Sequence, residues 1–537
     1  MALRRFGRLC PVFFRATESQ ERRALPLSLQ SLGFWLFLPI TALIDLHLPV
    51  KWQNPFLAAA SLLFYFYNLP SDPARAAVTL AALAGVCVFV YAMALAIGRA
   101  EKASARQKRL VRTGVICLLC FLAVFKYWNL SPLPALLSGT VLQKLPFPLG
   151  ISFFTFAAIG YLVDVGRGDV PAENSFVRVF LFLFFFGTIT SGPICRAGSL
   201  MPQLAAPRRF ERERTVNALR LFALGLWKKM AISDVLALCC NQVFADISGH
   251  GGPMLLFAVF GYTLILYFDF SGYSDMARAT GLALGLELPE NFKTPFFATN
   301  FSGFWSRWHI SLSSWLQDYL FTPLVWADTS RLPFAGSHLS PLFCVFCVFF
   351  FSGFWHGSTL PFVVWGFLQA AYRVGEELMH QHLGRPKKKA PARVQWAKRA
   401  AVFVLWSFSM VFFRVGSGPD TKGLGDAFAI IRGWGCGWGL HRFASELIRA
   451  VSAGFYADPR MIAAYMLFVI FGIALAFRLD WLRFKKFKSK PSEQVLAAQK
   501  PAVRWVLYYI LVVSILVGLI IQNGGFGGGV SFSYANF

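Results

Sequence analysis

Apolar runs of bilayer length recur along the whole chain, and nothing else in the sequence restricts its fold as strongly. A spanning helix needs about 20 apolar residues, with a lower limit of about 17. Runs near that length are Ser31–Leu48, Ala76–Ile97, Thr113–Trp128, Val177–Ser191, Val216–Cys240, Met254–Phe270, Leu339–Phe354, Leu360–Tyr372, Ala400–Val415, Met461–Phe477 and Trp505–Ile521. Two more, Pro55–Tyr67 and Phe147–Val163, are shorter or interrupted and read as re-entrant or interfacial. Soluble domains are about a quarter charged. This chain is 15% charged and 56% hydrophobic, more apolar surface than a soluble core could hide. The expected fold class is all-α, a polytopic integral membrane protein.

The formal charge of +26 would suggest nucleic acid in a soluble chain. Here the basic residues cluster between apolar runs, at Arg4–Arg23, Arg99–Arg112, Arg208–Arg214, Arg385–Arg399 and Arg478–Arg504. That is the pattern of cytoplasmic loops facing anionic lipid. No stacking platform or groove-reading motif accompanies it, so a nucleic-acid partner is set aside. Two cytoplasmic loops require an even number of spans between them. Taking the two weak runs as non-spanning satisfies that parity and gives about eleven spans, with 416–459 and the uncharged tail on the far side. The Lys387-Lys388-Lys389 run reads as a solvated loop and the Gly-rich stretch near Asn523–Gly529 as a flexible turn. The N-terminal run follows Arg22-Arg23 without a clean cleavage site, so it reads as a retained helix rather than a signal peptide. The expected organisation is a basic cytoplasmic segment over 1–30 and one membrane domain over 31–537, with a catalytic core near 254–375.

Seven of the ten cysteines lie inside apolar runs: Cys87, Cys117, Cys120, Cys239, Cys240, Cys344 and Cys347. They form no disulfide framework. Neither CxxC pair has a polar shell, so small hydrophobes are expected there and no metal site.

Three stretches concentrate the chemistry. The first is SPLFCVFCVFFFSGFWHG, Ser340–Gly357, which ends an apolar run on Trp355 and His356. An ionisable residue at such a place is a functional-site hypothesis. The competing reading is an interfacial histidine beside the tryptophans that belong at that depth. The second is FWSRWHISLSSWLQDYL, Phe304–Leu320, whose period predicts one amphipathic helix. Trp305, Trp308, Trp315 and Tyr319 then share one face, and Arg307, Ser311, Ser314 and Asp318 another. His309 falls at the margin of the aromatic face, either a satisfied core group or a catalyst. Arg307 and Asp318 would form an electrostatic network along the charged stripe. The third is YFDFSGYSDM, Tyr267–Met276, followed by PENF with Asn291. Carboxylates within apolar runs need partners. Asp269 and Asp275 read as a proton pathway or as caps of broken helices, and Ser271, Gly272 and Ser274 between them favour caps.

The order YFDFSGYSDM, PENF, FWSRWHISLSSWLQDYL, SGFWHG resembles the membrane-bound O-acyltransferase (MBOAT) family, and within it the alginate O-acetylation subgroup. Phe125-Lys126-Tyr127, Pro148–Phe153, Tyr161–Val165, Gly192-Pro193, Gly225–Lys229 and Val411–Arg414 are similar to local signatures of that subgroup, so the likeness covers roughly 31–415. The resemblance implies a helical bundle with a central funnel or tunnel. It implies His356 as the essential catalytic residue and His309 as its partner, with Trp355, Arg307, Asp318, Asp269 and Asn291 in support. It implies no bound cofactor, acetyl-CoA or an acyl-carrier thioester as donor, and an exported polysaccharide as acceptor. It implies a periplasmic acetyltransferase partner and a multi-pass place in the cell inner membrane. Ser306 and Gln317 depart from the subgroup, which usually has arginines there, and so does Phe321–Trp326, which lacks its usual turn.

The residues agree with that role. A sugar hydroxyl is a poor nucleophile at neutral pH, and histidine is the side chain suited to act as its base. No GxSxG elbow on a strand–turn–helix is present, which favours direct transfer over a serine acyl-enzyme. Two alternatives remain open: D-alanyl transfer from a carrier protein to a teichoic-acid-like polymer, and a proton-coupled transporter. No repeated halves support the transporter.

Overall fold

The computed structural model describes residues 27–127, 148–327, 340–357, 359–384, 390–417, 423–455 and 459–524. The basic segment before residue 27, the Lys387–Lys389 run and most of the Gly-rich tail lie outside the described residues. The described residues are mainly helical and contain no strand.

The helices that frame the site are α1 (Leu32–His47), α2 (Val50–Tyr67), α3 (Pro73–Arg99), α4 (Ala105–Tyr127), α5 (Ile151–Arg167), α6 (Phe176–Phe184), α7 (Arg212–Leu226), α8 (Asp234–Ala245) and α9 (Gly252–Ala283). They continue with α10 (Phe301–Trp305), α11 (Ile310–Leu316), α12 (Pro341–His356), α13 (Leu360–Leu383), α14 (Ala392–Ser417), α15 (Pro459–Lys485) and α16 (Pro501–Gly524). Six of these are long and apolar enough to cross a membrane: α3, α4, α9, α14, α15 and α16. Helices α1 and α12 are apolar but shorter. The Val177–Ser191 run does not form one helix. α6 stops at Phe184 and the chain continues through turns to Cys195. The weak Phe147–Val163 run becomes α5, which is buried over nearly its whole length.

Basic ends gather on one face of the bundle. α3 ends at Arg99 and α4 begins beside Arg106, while the start of α14 and the end of α15 meet through Trp396 and Trp481, stacked at 5.5 Å. Two glycines let α12 and α13 touch backbone to backbone. A Cβ at Gly353 would lie 2.5 Å from the Phe362 carbonyl oxygen, and one at Gly366 would lie 2.7 Å from that of Phe349. Between these helices and α14 sits an aromatic core. Trp406 packs against Phe304 at 4.3 Å, Trp308 at 4.9 Å and Trp305 at 5.5 Å. Such ring pairs add about 0.5–1.5 kcal/mol each beyond area burial, and they hold the second chemical stretch at the bundle centre.

Candidate active site

His356 is the last residue of α12, and only 5% of it is exposed. Its ring lies 4.6 Å from Trp355, 5.1 Å from Trp365 and 5.1 Å from Phe413. Gly357 follows because nothing larger fits: a Cβ there would come within 2.3 Å of the Phe362 ring. The end of α12 leaves carbonyls without intrahelical donors, and α4 satisfies two of them. Lys126 Nζ donates to the Trp355 carbonyl, and the Tyr127 hydroxyl donates to that of Phe354 at 2.8 Å. Lys126 also stands 5.1 Å over the Trp355 ring. The contact of Lys126 with Trp355 is not legible in FKY alone. What the sequence does carry is a cation at the end of an apolar run, which requires a partner of this kind.

His309 does not lie on a continuous helix. The expected helix Phe304–Leu320 is broken, with α10 ending at Trp305 and α11 starting at Ile310. His309 joins them in the left-handed region, at φ 44 and ψ 54. An L-residue there costs roughly 1–2 kcal/mol, so the surroundings must enforce it. Asn291 does so from a separate segment. Its carbonyl accepts from Ile310 N at 3.0 Å and its Oδ1 from Ser311 N at 3.1 Å, capping the start of α11. Its Nδ2 donates to Ser274 Oγ on α9 at 3.0 Å, which fixes the whole cap to a long helix. The Ser311 hydroxyl in turn accepts from Ile194 N at 3.0 Å.

The segment is re-entrant. Phe301 N and Ser302 N donate to Glu376 near the basic end of α13, and Trp305 meets Trp365 at 6.2 Å farther in. His309 forms the apex, against Phe270 at 4.6 Å and Phe153 at 6.5 Å. The chain then returns along α5. Trp315 stacks on Phe156 at 4.2 Å and donates to its carbonyl, and the Tyr319 hydroxyl bonds Asp164 at 2.7 Å near the basic end of α5.

The apex brings the two histidines together. Phe153, which touches His309, is 6.5 Å from Trp355, the neighbour of His356. Both His309 and Lys126 lie within electrostatic reach of His356. The candidate site therefore assembles from α12, the re-entrant turn, α4 and α5.

The supporting residues divide differently from expectation. Arg307 and Asp318 do not pair, because the break at His309 places them on separate elements. Arg307 reaches the Lys293 carbonyl and Thr294, and lies over the Phe484 ring. Asp318, about half exposed, pairs with Arg196 at 2.7 Å. Asp269 and Asp275 cap nothing, since α9 runs unbroken through Ser271, Gly272 and Ser274. They pair instead with two lysines that sequence reasoning passed over. Lys229 bonds Asp269 at 2.7 Å and Asp234 at 2.6 Å, with all three side chains almost fully buried. Lys228 meets Asp275 at 2.7 Å. Both lysines lie in a π-helical turn, Trp227–Ser233, between α7 and α8. The signal available in sequence was two lysines and three aspartates inside neighbouring apolar runs, charges that can only be accommodated together.

A model of the membrane-bound O-acyltransferase family matches residues 170–415. The probable alginate O-acetylase of Pseudomonas aeruginosa is 30% identical over 475 residues, covering 87% of this chain and 85% of that protein. Its counterpart in Azotobacter vinelandii is 33% identical over 387 residues, covering 71% and 73%. The peptidoglycan O-acetyltransferase of Helicobacter pylori is 30% identical over 449 residues, covering 75% and 78%.

Proposed function

The chain belongs to the membrane-bound O-acyltransferase family, and from that premise we propose that it moves an acetyl group from a thioester on the cytoplasmic face across or into the membrane, onto an acceptor hydroxyl, for O-acetylation of an exported cell-surface polysaccharide. The observation that carries this reading is the re-entrant turn. It starts and ends at the basic face and sets His309 next to the surroundings of His356. Basic loops mark the cytoplasmic side of a membrane protein, here the inner membrane. A donor such as acetyl-CoA or an acyl-carrier thioester approaches from there, and a periplasmic partner protein hands the group on to the polymer. Relatives named as O-acetylases of alginate and peptidoglycan support a carbohydrate acceptor.

In the proposed step the acceptor oxygen bonds the thioester carbonyl carbon while His356 takes the hydroxyl proton. The carbon–sulfur bond breaks, and the thiolate leaves toward the cytoplasmic face and is protonated. A general base acts within about 2.6–3.2 Å of its proton, so one histidine contacts the acceptor. His356 holds that place, and His309 orients the donor side. Aromatic walls around both rings exclude water, which protects the thioester from hydrolysis.

The test uses purified protein in lipid nanodiscs, with radiolabelled acetyl-CoA, an acetyl-loaded carrier protein or a D-alanyl carrier as donor. Label on a hydroxyl acceptor from either acetyl donor supports the reading. Label from the D-alanyl donor alone replaces it with aminoacyl transfer.

A further inference from the structure

A cleft of about 550 Å³ opens between α14 and α15 at their basic ends. Trp396, Arg399 and Phe403 line one wall, and Phe477, Arg478 and Trp481 the other. Both helices are long and apolar enough to cross the membrane, and the cleft between them is open at the surface, with Trp396 and Arg478 exposed. Tryptophans beside basic residues at a helix end are the composition of a membrane–water interface, and Trp396 is 50% exposed.

The charges in the cleft are incomplete. Arg399 is 8% exposed, yet its partners among the described residues are neutral: the Phe297 carbonyl at 3.2 Å, Gln395 at 3.5 Å and the Trp396 ring at 4.7 Å. Arg307 and Arg399 lie over the same Phe484 ring, at 5.3 and 5.4 Å. Among the described residues, no carboxylate comes within ion-pair distance of Arg307, Arg399 or Arg478. Arg399 is the buried member of this group, Arg307 is half-buried and Arg478 stands exposed at the mouth of the cleft. Three other buried arginines meet carboxylates. Arg208 meets Asp45, Arg278 meets Glu493 and Arg483 meets Glu290. Like charges gathered without an anion are unfavourable in a low-dielectric setting. Guanidinium groups suit a phosphate geometrically.

We propose that the α14–α15 cleft binds an anionic membrane phospholipid, its phosphate between Arg399 and Arg478 and an acyl chain along Phe403, Ala474 and Phe477. The apolar floor is what selects a lipid over a free phosphate. Below the arginines the lining is hydrocarbon and aromatic carbon, which an inorganic ion cannot use. Because Arg307 belongs to the segment that carries His309, the bound headgroup neutralises the entrance to the re-entrant element.

The test is lipid binding by delipidated full-length protein, read by native mass spectrometry and thermal unfolding. Three probes are compared: phosphatidylglycerol, phosphatidylcholine and inorganic phosphate. The parent protein is expected to retain phosphatidylglycerol and to be stabilised by it over phosphatidylcholine. Arg478→Gln is expected to weaken that affinity about tenfold, the effect of one charge-assisted contact of about 1.4 kcal/mol. Ala474→Phe, which fills the apolar floor and leaves both arginines in place, is expected to remove retention. Equal stabilisation by both lipids, full reproduction of the effect by inorganic phosphate, or parent-level retention in Arg478→Gln or Ala474→Phe overturns the proposal.

Discussion

Replacing Asn291 by alanine tests whether the apex at His309 is imposed from outside the helix. The change removes the Oδ1 acceptor for Ser311 N and the Nδ2 donor to Ser274 Oγ, and leaves the backbone bond to Ile310 N intact. The two losses are unequal. Ser274 sits within α9, and its hydroxyl can turn to a carbonyl one helical turn back at little cost. Ser311 N is a first-turn donor of α11 that relies on this cap, in a residue only 4% exposed. A stranded buried donor costs about 1–3 kcal/mol, whereas a typical interhelical bond in membrane contributes about 0.6. The expected loss is therefore about 1–3 kcal/mol, nearly all of it from Ser311 N. Thermal unfolding in nanodiscs measures it, and Asn291→Ala/Ser274→Ala should be no less stable than Asn291→Ala alone by more than a few tenths of a kcal/mol. Acetyl transfer should fall further than stability does, because the left-handed residue is free to relax. Parent-level stability and transfer in Asn291→Ala would refute the reasoning.

Lys229→Met leaves Asp269 and Asp234 buried without their shared cation, and a loss of about 3–5 kcal/mol in unfolding is expected; Lys229→Met/Asp269→Asn should recover part of it. Gly357→Ala forces a methyl into the Phe362 ring, and about 1–3 kcal/mol of destabilisation is expected together with displaced His356 and reduced transfer. Asp318→Asn removes a half-exposed pair with Arg196, so stability should change by less than about 1 kcal/mol; a larger loss would mean that Asp318 belongs to the site after all.

Sequence periodicity located most helices because apolar runs and spanning helices are the same physical requirement. It also placed His356 at a helix end, where WHG closes the run of α12. It failed where a distant residue decides local conformation. The period of Phe304–Leu320 is helical throughout, and only Asn291, from a different segment, supplies the cap that breaks it at His309. The same break separates Arg307 from Asp318, so the charged stripe read from one helix dissolved with it. Asp269 and Asp275 were legible as charges needing partners. Their pairing with Lys229 and Lys228 required the crossing of α7 and α9, which no local pattern encodes. The run Val177–Ser191 is apolar to its end, yet it leaves the helix at Phe184 because tertiary packing there replaces helical continuity.

His356 is proposed as the base of an acetyl transfer across this site. The most direct measurement is transfer of labelled acetyl to a hydroxyl acceptor by His356→Ala in nanodiscs, with expression and thermal unfolding followed in parallel. The variant is expected to fold and its transfer to fall by at least about 10²-fold, the lower bound for losing a positioned general base. A folded His356→Ala protein that transfers acetyl at the parent rate would contradict it.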